Sequence, residues 1–171
     1  MLPVKNAEIN WEDADLIHLI LLENPNITAI QLNSSGGLIE ASQYISDIVI
    51  DFELNSYVSG ECSSACVDIF LAGHRRVLER GSWLGFHKGS WAAADIERYY
   101  EGNKKEKGWK DAFEFSSWLY EDTQSEILKQ MKYMLERGVK ADFIIETLQA
   151  DNEGMWYPRR KRLREAGVIT E

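Results

Sequence analysis

Apolar residues along this chain follow two periods, and the switches between them mark its elements. Asn26-Ile-Thr-Ala-Ile-Gln-Leu-Asn33 alternates around β-branched residues and runs into Ser34-Ser35-Gly36-Gly37, which predicts a strand ending in a tight turn. Leu38, Ala41, Ile45, Ile48 and Phe52 then recur on one helical face. Ser56–Ser59 reads as a short strand broken at Gly60, and Ser63–Ala72 as a buried helix carrying Val67, Phe70 and Leu71, stopped by Gly73. Arg76–Glu79 and Trp83–Phe86 predict two further strands, joined as a hairpin through Arg80-Gly81-Ser82. Strand, helix, strand, helix, strand is the repeat of an α/β crossover fold.

Ahead of this repeat, Ala7–Glu23 reads as a helix, so a strand expected before it is missing from the pattern. Beyond His87 the character changes. Gly102–Gly108 predicts a polar linker or the tip of an inserted loop, and a long helix follows from about Asp111 to Glu136, with Phe115, Leu119, Ile127, Met131 and Met134 as its apolar contacts. Lys140–Gln149 and Pro158–Ala166 predict two short helices, and Val168-Ile169-Thr170 a closing strand. The reading is one α/β domain over residues 1–171 with a helical C-terminal third and a variable insertion at 91–113.

At 171 residues the chain is long enough for a single real core, and 44% hydrophobic with 27% charged residues makes it globular. A net charge of −9 argues against a nucleic-acid partner, because phosphate binding needs a basic surface. The basic run Arg159-Arg160-Lys161-Arg162 with Arg164 reads as a solvated helix face. No apolar run reaches the roughly 20 residues that cross a bilayer, so no transmembrane segment is expected. Nor does a charged, apolar, small-residue leader open the sequence.

The chemistry lies in three short segments: Ser34-Ser35-Gly36-Gly37, Gly60-Glu61-Cys62-Ser63-Ser64-Ala65-Cys66 and Gly85-Phe86-His87. Acyl transfer needs donors for an oxyanion, a nucleophile and a base, and these segments offer one of each. Ser64 at the first turn of a helix would sit among unpaired backbone N–H groups, with Ala65 N–H beside it and a second donor from Gly36 or Gly37. A serine at a helix start is ordinarily an N-cap, a role Ser63 can fill. His87 follows at the end of an apolar strand, whereas His18 and His74 read as structural. For the orienting acid, Asp151 and Glu153 are the candidates, while Asp68 would face away from His87. The cysteines, Cys62 and Cys66, are either a candidate disulfide or a reduced, buried pair. No metal site and no cofactor are expected, because structural zinc wants four ligands and the histidines do not pair with these cysteines.

These residues resemble the ClpP-type serine peptidases of the ClpP/crotonase superfamily. Leu32-Asn33-Ser34-Ser35-Gly36-Gly37 resembles their Asn-Ser-Pro-Gly-Gly loop, with Ser35 in the place of proline. Gly60–Cys66, running on to Phe70-Leu71-Ala72-Gly73, resembles the nucleophile turn and its helix, and Gly85-Phe86-His87 the strand that ends in the catalytic histidine. The Cys-Ser-Ser-Ala-Cys form is closer still to a branch of predicted periplasmic ClpP-like proteins. The match is dense from Ile27 to Ser90; later it is an order of elements, ending in Trp156-Tyr157 and Ala166–Ile169.

The resemblance implies a spiral of βαβ units. It also implies a Ser64–His87 peptidase with Gly37 and Ala65 N–H groups as the oxyanion hole, a peptide or protein substrate, homo-oligomeric assembly and a periplasmic or otherwise extracytoplasmic location. Counting forward from Gly138 places the family's aspartate on Asp151. Counting back from Gly167 places it near Gly154 or Met155, so an insertion or loss lies between. The segment Trp91–Phe113 departs from the family's short connection, and Cys66 replaces a glycine behind the nucleophile. Two other readings share the fold: a catalytically inactive ClpP-like interaction module, and a crotonase-like enzyme acting on acyl-thioesters, which needs no Ser–His pair.

Overall fold

The computed structural model describes residues 1–5, 8–150 and 154–171, which fall into two compact units, 1–88 with 137–171, and 89–136. The first unit holds a parallel sheet. Strands β1 (Leu2–Lys5), β2 (Ala29–Ser34), β3 (Asn55–Ser63) and β4 (Arg76–Leu78) lie side by side in that order, and β5 (Trp83–Gly85) pairs with β3 farther along. Ser56–Val58 faces β4 and Glu61–Ser63 faces β5, so the two short strands follow one another along the same neighbour. They are both parallel to β3 and do not form the expected hairpin.

Two other expectations fail here. A strand does precede the first helix: β1 pairs in parallel with β2, Leu2 opposite Ile30. It is four residues long and contains Pro3, too short and too irregular to show as a period. The first helix, α1 (Trp11–Glu23), begins later than Ala7 because Asn10 caps it. The Asn10 side chain accepts from the N–H groups of Glu12 and Asp13, and Asp13 Oδ2 accepts in turn from Asn10 N at 3.0 Å.

Helices α1 and α2 (Ile39–Asp51) bury Ala14, Ile17 and Leu21, and Ala41, Ile45, Ile48 and Val49. Leu38 lies just outside α2 and is exposed. Every residue of α3 (Cys66–Ala72) is buried, and Ile30, Leu32, Val58, Phe70 and Leu71 are wholly enclosed. Each such side chain contributes about 1.5–3 kcal/mol by leaving water. Gly73 ends α3 for a reason other than handedness. Its backbone is extended, with φ −61°, but a Cβ there would fall on the Ser56 side chain, whose hydroxyl donates to Phe70 O at 2.6 Å.

The C-terminal helices are α6 (Ala141–Thr147) and α7 (Arg160–Glu165). Part of the basic run is engaged: Arg162 donates to both Glu146 oxygens and to Asp142, and Arg160 to the Glu79 carbonyl. Residues 168–170 form no strand. Thr170 N instead donates to Arg76 O, and Arg76 N to Thr170 Oγ1, which fastens the terminus to β4. The guanidinium of buried Arg76 donates to the carbonyls of Leu71, Arg137 and Gly167. One cation thus satisfies three chain segments that end helices or turns.

The second unit is a helical pair, α4 (Ala93–Lys107) and α5 (Ala112–Glu136). The expected linker at 102–108 is the last part of α4, which continues through Lys and Glu residues of good helix propensity and stops at Gly108, left-handed at φ 75°. Tyr99, Trp109, Phe115 and Trp118 cluster between the two helices, with Trp109 centred 4.9 Å from both Phe115 and Trp118. Of the apolar contacts expected on α5, Phe115 and Met134 are buried, while Ile127 is exposed. Among the described residues no helix is long and apolar enough to cross a membrane.

Candidate active site

Strand β3 carries the site because it does not stop at Gly60. The strand runs on to Ser63, and Gly60, at φ 114°, sits in a bulge where a Cβ would stand 2.6 Å from Asn33 Oδ1. That Asn33 oxygen accepts from Glu61 N at 3.1 Å, and Ser82 Oγ accepts from Gly60 N at 2.8 Å. Across the bulge, residues 32 to 34 of β2 span residues 58 to 62 of β3. The extra length projects Cys62 and Ser63 beyond the β4 pairing and into register with β5.

Ser64 follows as a sharp strand-to-helix turn. Its φ of 53° is in the left-handed region, which a non-glycine residue occupies only when its surroundings hold it there. Three contacts do so. Ser64 N donates to Gly85 O at 3.0 Å, Val67 N donates to Ser64 O at 2.9 Å, and a disulfide joins Cys62 to Cys66 across the turn, their Cα atoms 5.3 Å apart. Both cysteines are fully buried, and of the two states open to them the disulfide is the one present. The expected helix start at Ser63 shifts accordingly: Ser63 ends β3, and Ala65 is the N-cap of α3.

The glycine loop packs on this turn from the other side. Ser34, buried at the end of β2, accepts from Gly36 N at 3.1 Å. Gly36 has φ 118°, and a Cβ on it would stand 2.8 Å from Ser64 Cβ and 3.3 Å from Ala65 N. Gly37 is bridged to Ile9: Ile9 N donates to Gly36 O and Leu38 N to Ile9 O, both at 2.8 Å. A residue flanked by such a parallel pair turns its own N–H away from the partner strand.

His87, directly after β5 and Phe86, places Nε2 2.7 Å from Ser64 Oγ. The two groups are half-buried. Phe86 is bridged antiparallel to Trp156 by two backbone hydrogen bonds of 2.9 and 2.8 Å. Asp151 and Glu153, the acid candidates, lie outside the described residues, and Asp68 is buried within α3. His18 is near Tyr44, its Nδ1 3.4 Å from the phenol oxygen, and His74 is exposed.

Three groups beside the site carry no sequence signal of a role there. Ser63 Oγ donates to Glu61 Oε1 at 2.7 Å, and Tyr157 OH donates to the same oxygen at 2.8 Å. The Tyr157 phenol is held above its ordinary value, first by its partial burial and next by the hydrogen bond to Glu61. Strand alternation puts Glu61 and Ser63 on one face, which is all the sequence could have offered.

No family model matches the chain, and no curated protein resembles it in sequence. The likeness is in the structure. A point mutant of ClpP1 from Listeria monocytogenes superposes with a TM-score of 0.69 at 19% identity, over 99% of this chain and 88% of that one. With its parallel sheet, the seven helices of the described residues and its helical C-terminal part, the chain has the ClpP-like α/β fold.

Proposed function

We propose that this protein is a serine peptidase-type hydrolase in which Ser64 is the nucleophile and His87 the general base. The observation that carries this reading is the 2.7 Å approach of His87 Nε2 to Ser64 Oγ on a left-handed strand-to-helix turn. A serine hydroxyl is a poor nucleophile until a neighbouring base accepts its proton. With Nε2 unprotonated, the Ser64 hydroxyl donates to it. As Oγ bonds to the substrate carbonyl carbon, the proton passes to Nε2 and the carbonyl π pair moves to oxygen. The Gly37 and Ala65 N–H groups are the donors assigned to that oxyanion, and loss of one such donor typically costs about 10²–10³ in rate. Collapse breaks the C–N bond, and the imidazolium returns its proton to the leaving amine. Water then repeats the sequence on the acyl-enzyme.

Asp151 is assigned as the acid that orients His87. The likeness of the glycine loop and the Ser64 turn to ClpP-type peptidases supports peptide bonds as the substrate class. It also supports homo-oligomeric assembly, and the buried Cys62–Cys66 disulfide supports an extracytoplasmic location. A fluorogenic peptide mixture tests the reading. Wild type is expected to cleave it, Ser64→Ala to be inactive, and Asp151→Asn to lose far more than Glu153→Gln. Equal cleavage by wild type and Ser64→Ala would overturn it.

A further inference from the structure

We propose that Glu61 is a positioning residue for the Ser64–His87 pair, acting through a single carboxylate oxygen that ties the nucleophile strand to the segment beside the base. This rests on the serine-hydrolase reading above and goes one step beyond it. Glu61 Oε1 accepts from Ser63 Oγ, whose residue immediately precedes Ser64, at 2.7 Å, and from Tyr157 OH at 2.8 Å. Ser63 is fully buried, and Tyr157 directly follows Trp156, which is bonded twice to Phe86, the residue before His87. The strand that leads into Ser64 and the segment bridged to the residue before His87 therefore meet on one atom.

The surrounding packing leaves little slack for another arrangement. Gly85, opposite Ser63 in the β3–β5 register, admits no side chain: a Cβ there would fall on Ser63 Oγ and stand 2.6 Å from Met155 Cγ. The stretch 155–157 is thus laid against β5 and latched at its far end by Glu61. Hydrogen bonds to an ionised acceptor are among the stronger ones a side chain makes. Losing the latch frees the Phe86–Trp156 bridge and the Ser63 hydroxyl together, and both errors appear in the Oγ–Nε2 geometry.

The test compares Glu61→Ala, Glu61→Gln and Tyr157→Phe with wild type. Fluorophosphonate inactivation is resolved into kinact and KI, and the His87 ring signals are followed by NMR in protein labelled with ¹⁵N-histidine. Glu61→Ala and Tyr157→Phe are expected to lower kinact about tenfold, the scale of one hydrogen bond to a charged group, at unchanged KI, and to move the His87 signals. Glu61→Gln keeps the carbonyl acceptor and is expected to restore most of both. The double variant is expected to be little worse than Glu61→Ala alone, since both remove the same bond.

Folded Glu61→Ala and Tyr157→Phe with wild-type kinact and unmoved His87 signals would overturn the proposal. Should Glu61→Ala fail to fold, Tyr157→Phe decides, because it removes only a half-exposed hydroxyl. A wild type that does not label would sink the hydrolase reading alone. The ring signals then decide: movement in Tyr157→Phe supports positioning, and none overturns it.

Discussion

Gly36 is the wall against which Ser64 is set: a methyl group on the glycine would stand 2.8 Å from Ser64 Cβ and 3.0 Å from the Ser63 carbonyl oxygen. The two residues share an unusual backbone, Gly36 at φ 118° and Ser64 at φ 53°. Only the first is a conformation that requires glycine outright. Gly36→Ala is therefore expected to displace the nucleophile turn, to destabilise the fold by about 2 kcal/mol and to abolish labelling of Ser64 by a fluorophosphonate. Thermal unfolding and labelling measured together check this. A labelling-competent Gly36→Ala would remove the glycine loop from the account of the site.

The Cys62–Cys66 disulfide closes a short loop with Ser64 at its centre, at a sequence separation of 4. Loop-closure entropy for a loop this small is worth about 2 kcal/mol in the unfolded state. Cys62→Ala/Cys66→Ala is expected to lose stability on that scale and to label more slowly, since the turn loses one of its restraints. Denaturant unfolding of both forms reads the first effect, and equal labelling rates would contradict the second.

Arg76 reaches three carbonyls from one buried position, those of Leu71, Arg137 and Gly167. Arg76→Met leaves those acceptors without their cation and is expected to cost about 3 kcal/mol. Arg76→Lys keeps the charge but not the planar fork, so it is expected to recover only part of the loss. Denaturant midpoints of the two variants check the order.

Tyr157 supplies a pH dependence whose sign is fixed. Its phenol is raised above the usual value near 10.0, chiefly by partial burial and then by its bond to Glu61, so the folded state favours the protonated form. The stability this contributes is present in full below the ordinary phenol range and is lost as pH rises through the higher folded-state value. The difference in phenolate absorbance between wild type and Tyr157→Phe is expected to appear above that ordinary range. In Glu61→Ala the corresponding Tyr157 titration is expected to move back down. A Tyr157 phenol that titrates at its ordinary value in wild type would contradict the latch.

Much of the fold was legible because its signals are local. The alternation of residues 29–33, the α2 face and the apolar run of α3 each report burial directly. What escaped depended on context. Gly60 reads as a strand breaker, yet here it is the bulge that lets β3 continue, because its neighbour is the Asn33 amide. Lys104, Lys105 and Lys107 read as a linker, yet α4 carries them as its last turn, where cations favour the helix dipole. Ser64 and His87 could be paired from their motifs, whereas Glu61 and Tyr157 are 96 residues apart and nothing in either motif pairs them. Their meeting follows from the Phe86–Trp156 bridge, a tertiary contact that neither segment specifies alone.

The most direct measurement of the central claim is the rate at which a fluorophosphonate modifies Ser64, compared among wild type, Ser64→Ala and His87→Ala by intact mass and peptide mapping. A single adduct on Ser64 is expected in wild type and none in Ser64→Ala. In His87→Ala the rate is expected to be at least about a hundredfold lower, the usual contribution of a positioned general base. A folded wild type that stays unmodified, or a His87→Ala variant that labels as fast as wild type, would contradict the claim that His87 activates Ser64.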